Sequence, residues 1–338
     1  MHEHPKLPAG RRLNVVLGPG SPAHYAYYAH AGLGVPSVAP EELAAGFQPR
    51  PELNLQNFGG KTITDLIFVN NYLGGQDAWD SSDISSIDGS LSKAMSDSAL
   101  QSVIQQYFDP AISSQMLPSA VLPDAAPDQI FKDQVEALAA QIFTSGGLGG
   151  ADPANTVINI MLPRGVVLVD GFSPGFQPPA GQEAEHQRRL AAVVKIDDEN
   201  ADSKHGLGGY HGSVHVTSGG SDVTVYYAVG VYSEGDNGIP VFDQFWKNVV
   251  ATFYHELNEA RTDADVEDVN RTGNDSLLGW YSPAQGGGEI GDIPINEAGA
   301  AGNLSLVFQE INLADGTGTV PVQLMWSNKD DGPASHVD

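Results

Sequence analysis

At 338 residues, with 41% apolar and 17% charged residues, the chain is long enough for one large domain or two ordinary ones and too apolar for a disordered chain. A formal charge of −26 repels nucleic-acid phosphates and anionic lipid surfaces, so neither is an expected partner. Cys is absent, which excludes a disulfide framework, a thiolate nucleophile and a Cys-type zinc site; any zinc must be held by His and carboxylates.

In chain order, Met1-His2-Glu3-His4-Pro5 has no basic segment leading into an apolar run, so no signal peptide is visible. No apolar run approaches the roughly 20 residues of a membrane span. Residues 1–55 are rich in Pro, Gly, Ala and Tyr without sustained period and read as an N-terminal extension, with 56–338 as a single catalytic-type domain. The cluster His24-Tyr25-Ala26-Tyr27-Tyr28-Ala29-His30 reads as an aromatic anchor for that arm. Asp65-Leu66-Ile67-Phe68-Val69 predicts a strand buried on both faces. Helical spacing follows over Ser90 to Phe108 and again over Lys132 to Phe143. Val157 to Leu162 and Val166 to Val169 read as strands joined by a Pro163-Arg164-Gly165 turn.

Further strands are predicted at Leu190 to Ile196, Ser213 to Thr217, Val223 to Tyr232, Leu304 to Phe308 and Val320 to Trp326. The acidic run Asp197 to Asp202 offers oxygen ligands for calcium but lacks the spacing of an EF-hand loop, and reads as a solvated turn. Strands alternating with helices predict an α/β or α+β fold, a mixed sheet packed with helices.

The chemistry concentrates on a helix expected at about 241–263. Set on a helical wheel, Phe242, Trp246, Val249, Val250, Phe253, Leu257 and Ala260 form a core stripe. His255 and Glu259 lie opposite it, about 40° apart, with Glu256 between the two faces. This is the arrangement of His-Glu-x-x-His helices, in which residues i and i+4 hold zinc and the intervening Glu activates water, with Glu259 here in the second ligand position. A third ligand must come from elsewhere, and Asp263, Glu289 and Asp292 are the candidates. The alternative reading of the same residues is a solvated helix face, with Glu259 paired to Arg261 or a nearby base.

The segments His255-Glu256-Leu257, Glu259-Ala260 and Thr262-Asp263, then Gly279-Trp280-Tyr281 and Gly288-Glu289-Ile290-Gly291-Asp292, resemble the plant EXORDIUM and phosphate-induced-protein group and its bacterial relatives. Gly59-Gly60, Leu162-Pro163, Gly209-Tyr210-His211-Gly212-Ser213, Tyr227-Ala228-Val229, Val322-Gln323 and Trp326-Ser327-Asn328 extend the resemblance in order over residues from about 57 to 330. Family members usually carry two Cys at the places of Gly208 and Pro294, and their joint absence implies that the Tyr210-His211 loop lies next to the Asp292 loop. The resemblance implies a secreted protein in which the His-Glu-x-x-Glu element is a defining part.

Together these readings lead to a zincin-like, zinc-dependent hydrolase acting on a peptide or protein. His255 and Glu259 with Asp292 or Glu289 would hold the metal, Glu256 would be general base, and Tyr281 or His211 would stabilise the oxyanion. The alternatives are a secreted, non-enzymatic binding or structural protein with a structural ion or hydrogen-bond network at the same residues, and a carbohydrate-binding module.

Overall fold

A computed structural model describes residues 15–31, 47–193, 195–196, 199–284 and 288–337. Among these, eight α-helices surround a seven-stranded mixed sheet, an α+β fold. The hairpin strands Leu207–Ser218 and Ser221–Gly230 pair antiparallel. Beyond them Thr156–Met161, Asp65–Tyr72 and the short strands Ser113–Met116 and Ala120–Val121 continue the sheet in parallel. Val15–Leu17, within the stretch read as an extension, adds an antiparallel edge to Leu207–Ser218.

Strand alternation sorts side chains to the two faces. Leu66, Phe68, Tyr72, Val157, Met161, Tyr226 and Ala228 join one buried core with the helices Ser81–Ser96, Ser98–Gln105 and Phe245–Thr262. Val69, Ile158, Ile160, Val225, Tyr227 and Val229 face a second core built on the helix Lys132–Thr144. Both faces are therefore covered, as the apolar run of residues 65–69 requires.

Several expectations are corrected. The segment 90–108 is two helices, because Asp97 leaves helical backbone and its Oδ1 accepts from the N–H groups of Ala99 and Leu100, each at 3.0 Å. Thr156–Met161 and Val167–Val169 are strands as expected, and the second lies parallel to Gln129–Phe131. Leu190 belongs to the helix Glu183–Ala192, and among the described residues of that stretch only Lys195–Ile196 is strand. Leu304–Leu306 is a 3₁₀ turn, with the strand following at Phe308–Asn312. The central helix begins at Phe245, because the Asn248 side chain accepts from the backbone N–H groups of Val241 and Phe242 at 2.9 and 2.8 Å and holds them in a turn.

Asp197 and Asp198 lie outside the described residues; Asp202 caps the turn Ser203–His205. Tyr28 and His30 fall on the helix Pro22–Ala31, but their side chains are outside the description. No helix among the described residues is long and apolar enough to cross a membrane.

Candidate metal centre

The helix Phe245–Thr262 carries the site and is buried on every side from Lys247 to Thr262. Its apolar stripe is the one periodicity gives: Val249, Val250, Phe253, Leu257 and Ala260 all enter the core. The polar face is equally closed, with His255, Glu256 and Glu259 at 0% exposure, so the solvated-face reading does not hold. Strand Leu207–Ser218 covers this face, and it can approach so closely because residue 209 is Gly. A Cβ there would press on the helix at Thr252 Cγ2, 3.1 Å, and Glu256 Oε1, 3.3 Å, and would meet Val229 O of the neighbouring strand at 2.5 Å. Two residues further along the same face, His211 points at the helix, on a strand where a loop was expected.

A second cover comes from residues 288–292, which lead into the helix Asp292–Ala300. Glu259 Oε1 accepts from the backbone N–H groups of Gly291 at 3.2 Å and Asp292 at 3.1 Å, fastening this segment to the central helix. Gly291 lies against the His255 ring, where a Cβ would stand 2.5 Å from Nδ1. That Nδ1 is 2.7 Å from Gln323 Oε1, and Gln323 Nε2 donates to Gly291 O at 2.6 Å. An amide oxygen can only accept, so Nδ1 carries the proton and the Nε2 lone pair is directed the other way.

Two ligand-like groups result, each entirely buried. His255 Nε2 lies 3.0 Å from Glu259 Oε2 and 3.7 Å from Asp292 Oδ1. His211 Nδ1 lies 3.3 Å from Glu256 Oε2 and 3.6 Å from Glu259 Oε2, while its Nε2 faces Glu289 Oε1 at 3.5 Å. The donor atoms of each triplet, His255–Glu259–Asp292 and His211–Glu256–Glu259, lie within 4.8 Å of one another. Ligands on a tetrahedral zinc with bonds of about 2.0–2.1 Å are separated by about 3.3 Å, the spacing seen here.

Asp263 closes the set. It ends the helix, its Oδ1 accepts from Gly279 N–H at 2.8 Å, and its Oδ2 has no hydrogen-bond partner. Glu256 Oε1, Glu259 Oε2, Asp292 Oδ2 and both oxygens of Glu289 are likewise buried without a hydrogen-bond partner. Among the described residues no Lys or Arg pairs with any of these five carboxylates.

The electrostatics follow. Burial raises Glu256, Glu289 and Asp292 above the ordinary carboxylate range, the last two well above it, and the neighbouring charge of Glu259 adds to this. Burial likewise lifts Asp263 to about 7. At Glu259 burial is outweighed by the two imidazoles, which hold it down to about 2. Burial would lower the imidazoles, but Glu256 and Glu259 outweigh it and raise His211 to about 10. At His255 burial is outweighed by the charge of Glu259, with Glu256 behind it, and the imidazole is raised above its ordinary value.

Compared with family models, with curated proteins and with solved structures, the chain finds no match. The functional reading therefore rests on the residues themselves. Of those singled out in the sequence, His211, His255, Glu256, Glu259, Glu289 and Asp292 are brought together, and Asp263 lies near enough to act on Glu289 without joining either ligand triplet. Tyr281 is placed in a small apolar cluster with Phe58, Val266, Val269 and Leu278, on a two-residue strand paired with Gln56–Asn57. Gln323 had been assigned no role; the signal for it is a buried amide inside the apolar strand Thr319–Gln323.

Proposed function

We propose that the chain is a metal-dependent hydrolase whose ion is held by His255 Nε2, Glu259 Oε2 and Asp292 Oδ1. The observation that supports it is the group of five buried carboxylates around two imidazoles, with no Lys or Arg partner among the described residues. Burying such charge without a counter-ion is costly, and a divalent cation offsets it. Calcium takes six to eight oxygen ligands, whereas zinc accepts imidazole with carboxylate, so the donor set favours zinc.

When bound, such an ion acts as a Lewis acid toward a carbonyl and makes water more acidic. Glu256, one residue on from His255, is positioned by His211 Nδ1 through Oε2 and presents Oε1, the oxygen without a partner, to take a proton. Its raised affinity for protons, caused by burial, suits that task. His211 is the polar group at hand for a developing oxyanion. A peptide is the substrate class suggested by the helix pattern, and the zincin-like description of the fold rests on the same helix.

The complete burial of the ligand atoms favours a second reading, a structural ion that ties the central helix to strand Leu207–Ser218 and to residues 288–292. Elemental analysis of the purified protein, paired with hydrolysis of denatured casein by wild type and Glu256→Gln, separates the two. Bound zinc with hydrolysis lost in Glu256→Gln supports the enzyme. Bound metal with no hydrolysis and a lower Tm on chelation supports the structural ion. A folded, metal-free protein overturns both.

A further inference from the structure

We infer that the centre binds two divalent cations, the second at His211 Nδ1, Glu256 Oε2 and Glu259 Oε2, with Glu259 Oε2 shared between the ions. The inference rests on the metal reading above and extends it from one ion to a carboxylate-bridged pair.

Three independent features support it. First, Glu259 Oε2 faces both imidazoles, at 3.0 Å from His255 Nε2 and 3.6 Å from His211 Nδ1, while Oε1 is already committed to two backbone N–H groups. An oxygen between two imidazole nitrogens that lacks a hydrogen-bond partner is placed as a bridge.

Second, each imidazole has one nitrogen toward this oxygen and the other toward an outer group. His255 Nδ1 meets Gln323 Oε1 at 2.7 Å, and His211 Nε2 faces Glu289 Oε1 at 3.5 Å. An outer acceptor that fixes the tautomer is the usual support of a metal-bound His; His255 has one in Gln323, and for His211 the carboxylate nearest Nε2 is Glu289 at 3.5 Å. Glu289, at 0% exposure with neither oxygen hydrogen-bonded, stands behind His211 on the side away from Glu259.

Third, the charge count favours a pair. With all five carboxylates ionised and both imidazoles neutral, as metal ligands require, the group would carry five negative charges. One divalent ion leaves three uncompensated in a dry interior, and two leave only one. Glu256 then gives Oε2 to the second ion and keeps Oε1 for the proton; the second ion takes the place of the His211 Nδ1 contact with Oε2 and of His211 as the positive group toward an oxyanion.

The test is stoichiometry. The full chain is stripped with a chelator, titrated with zinc or manganese(II), and bound ions per chain are counted by elemental analysis. Two ions in the wild type, falling to one in His211→Ala and to one in His255→Ala, are expected. Because either variant can fail to fold, the manganese(II)-loaded wild type is also measured by electron paramagnetic resonance, where an exchange-coupled pair is expected. One ion per chain with the spectrum of an isolated ion overturns the pair and leaves the single-ion reading standing. No bound ion overturns both.

Discussion

Among the described residues, two clusters of buried carboxylates contrast: one is interleaved with Lys and Arg, and the other is not. Beside the hairpin, Lys132, Arg189 and Arg271 are interleaved with Glu136, Asp170 and Glu267. Lys132 Nζ is 3.0 Å from Asp170, Arg189 Nε donates to Glu267 at 2.8 Å, and Arg271 Nη2 donates to Glu136 at 3.1 Å. Burial acts against the Glu267 carboxylate, but Lys132, Arg189 and Arg271 outweigh it and hold its pKa down to about 2. Around Glu259 the described residues supply only imidazoles, and Glu289 and Asp292 are forced well above their ordinary range. A buried carboxylate must be neutralised by a paired cation or by a proton. The first cluster is complete as folded; the second is complete only when something positive is added.

The sharpest way to break this contrast is Glu259→Ala, which removes the oxygen common to both ligand groups. Bound metal is expected to fall to background by elemental analysis, and hydrolysis with it; wild-type metal content in this variant would contradict the reading. Chelation should act on this centre alone. At an ion concentration near 1,000 times Kd its removal lowers wild-type stability by about 4 kcal/mol, read from denaturant midpoints with and without chelator.

In the other cluster, Glu267→Gln leaves Lys132 and Arg189 short of a counter-charge and should cost about 3–5 kcal/mol in urea. The loss from the substitution should be the same with and without chelator. The same residue sets a pH signature. Its folded pKa of about 2 lies below the ordinary 4.5, so its contribution is complete above pH 4.5 and is lost as pH falls through about 2. Stability of the wild type should therefore drop over that window, and Glu267→Gln should show a flatter profile.

The smallest effect separates holding a ligand from being one. Gln323→Ala takes the acceptor from His255 Nδ1 without touching a donor atom. Metal affinity should weaken about 10- to 100-fold while stoichiometry is unchanged in a zinc titration.

Much of the centre was legible because helical period alone puts His255 and Glu259 on one side and Val249, Phe253 and Leu257 on the other. Glu289 and Asp292 were legible as carboxylates following a glycine-rich segment, and His211 entered only through the resemblance. The pairing of Val167–Val169 with Gln129–Phe131 was not legible, because a strand's partner is set by residues far away in sequence. Nor was the break at Asp97, where a side-chain cap competes with a continuous helix inside an unbroken apolar spacing. Gln323 was missed because a single amide in a strand carries no period of its own.

By itself the sequence determined the α+β composition, the core stripe of the central helix and the type and spacing of the residues able to take a metal. Periodicity is a local property, and it records which side chains share a face. Only the tertiary structure decided that this polar face is buried rather than solvated. Strand Leu207–Ser218 can close on it because Gly209 has no side chain, and residues 288–292 are fastened over it by Glu259 Oε1. Burial turns five ordinary carboxylates into a centre that calls for a cation, and burial depends on what the rest of the chain brings alongside.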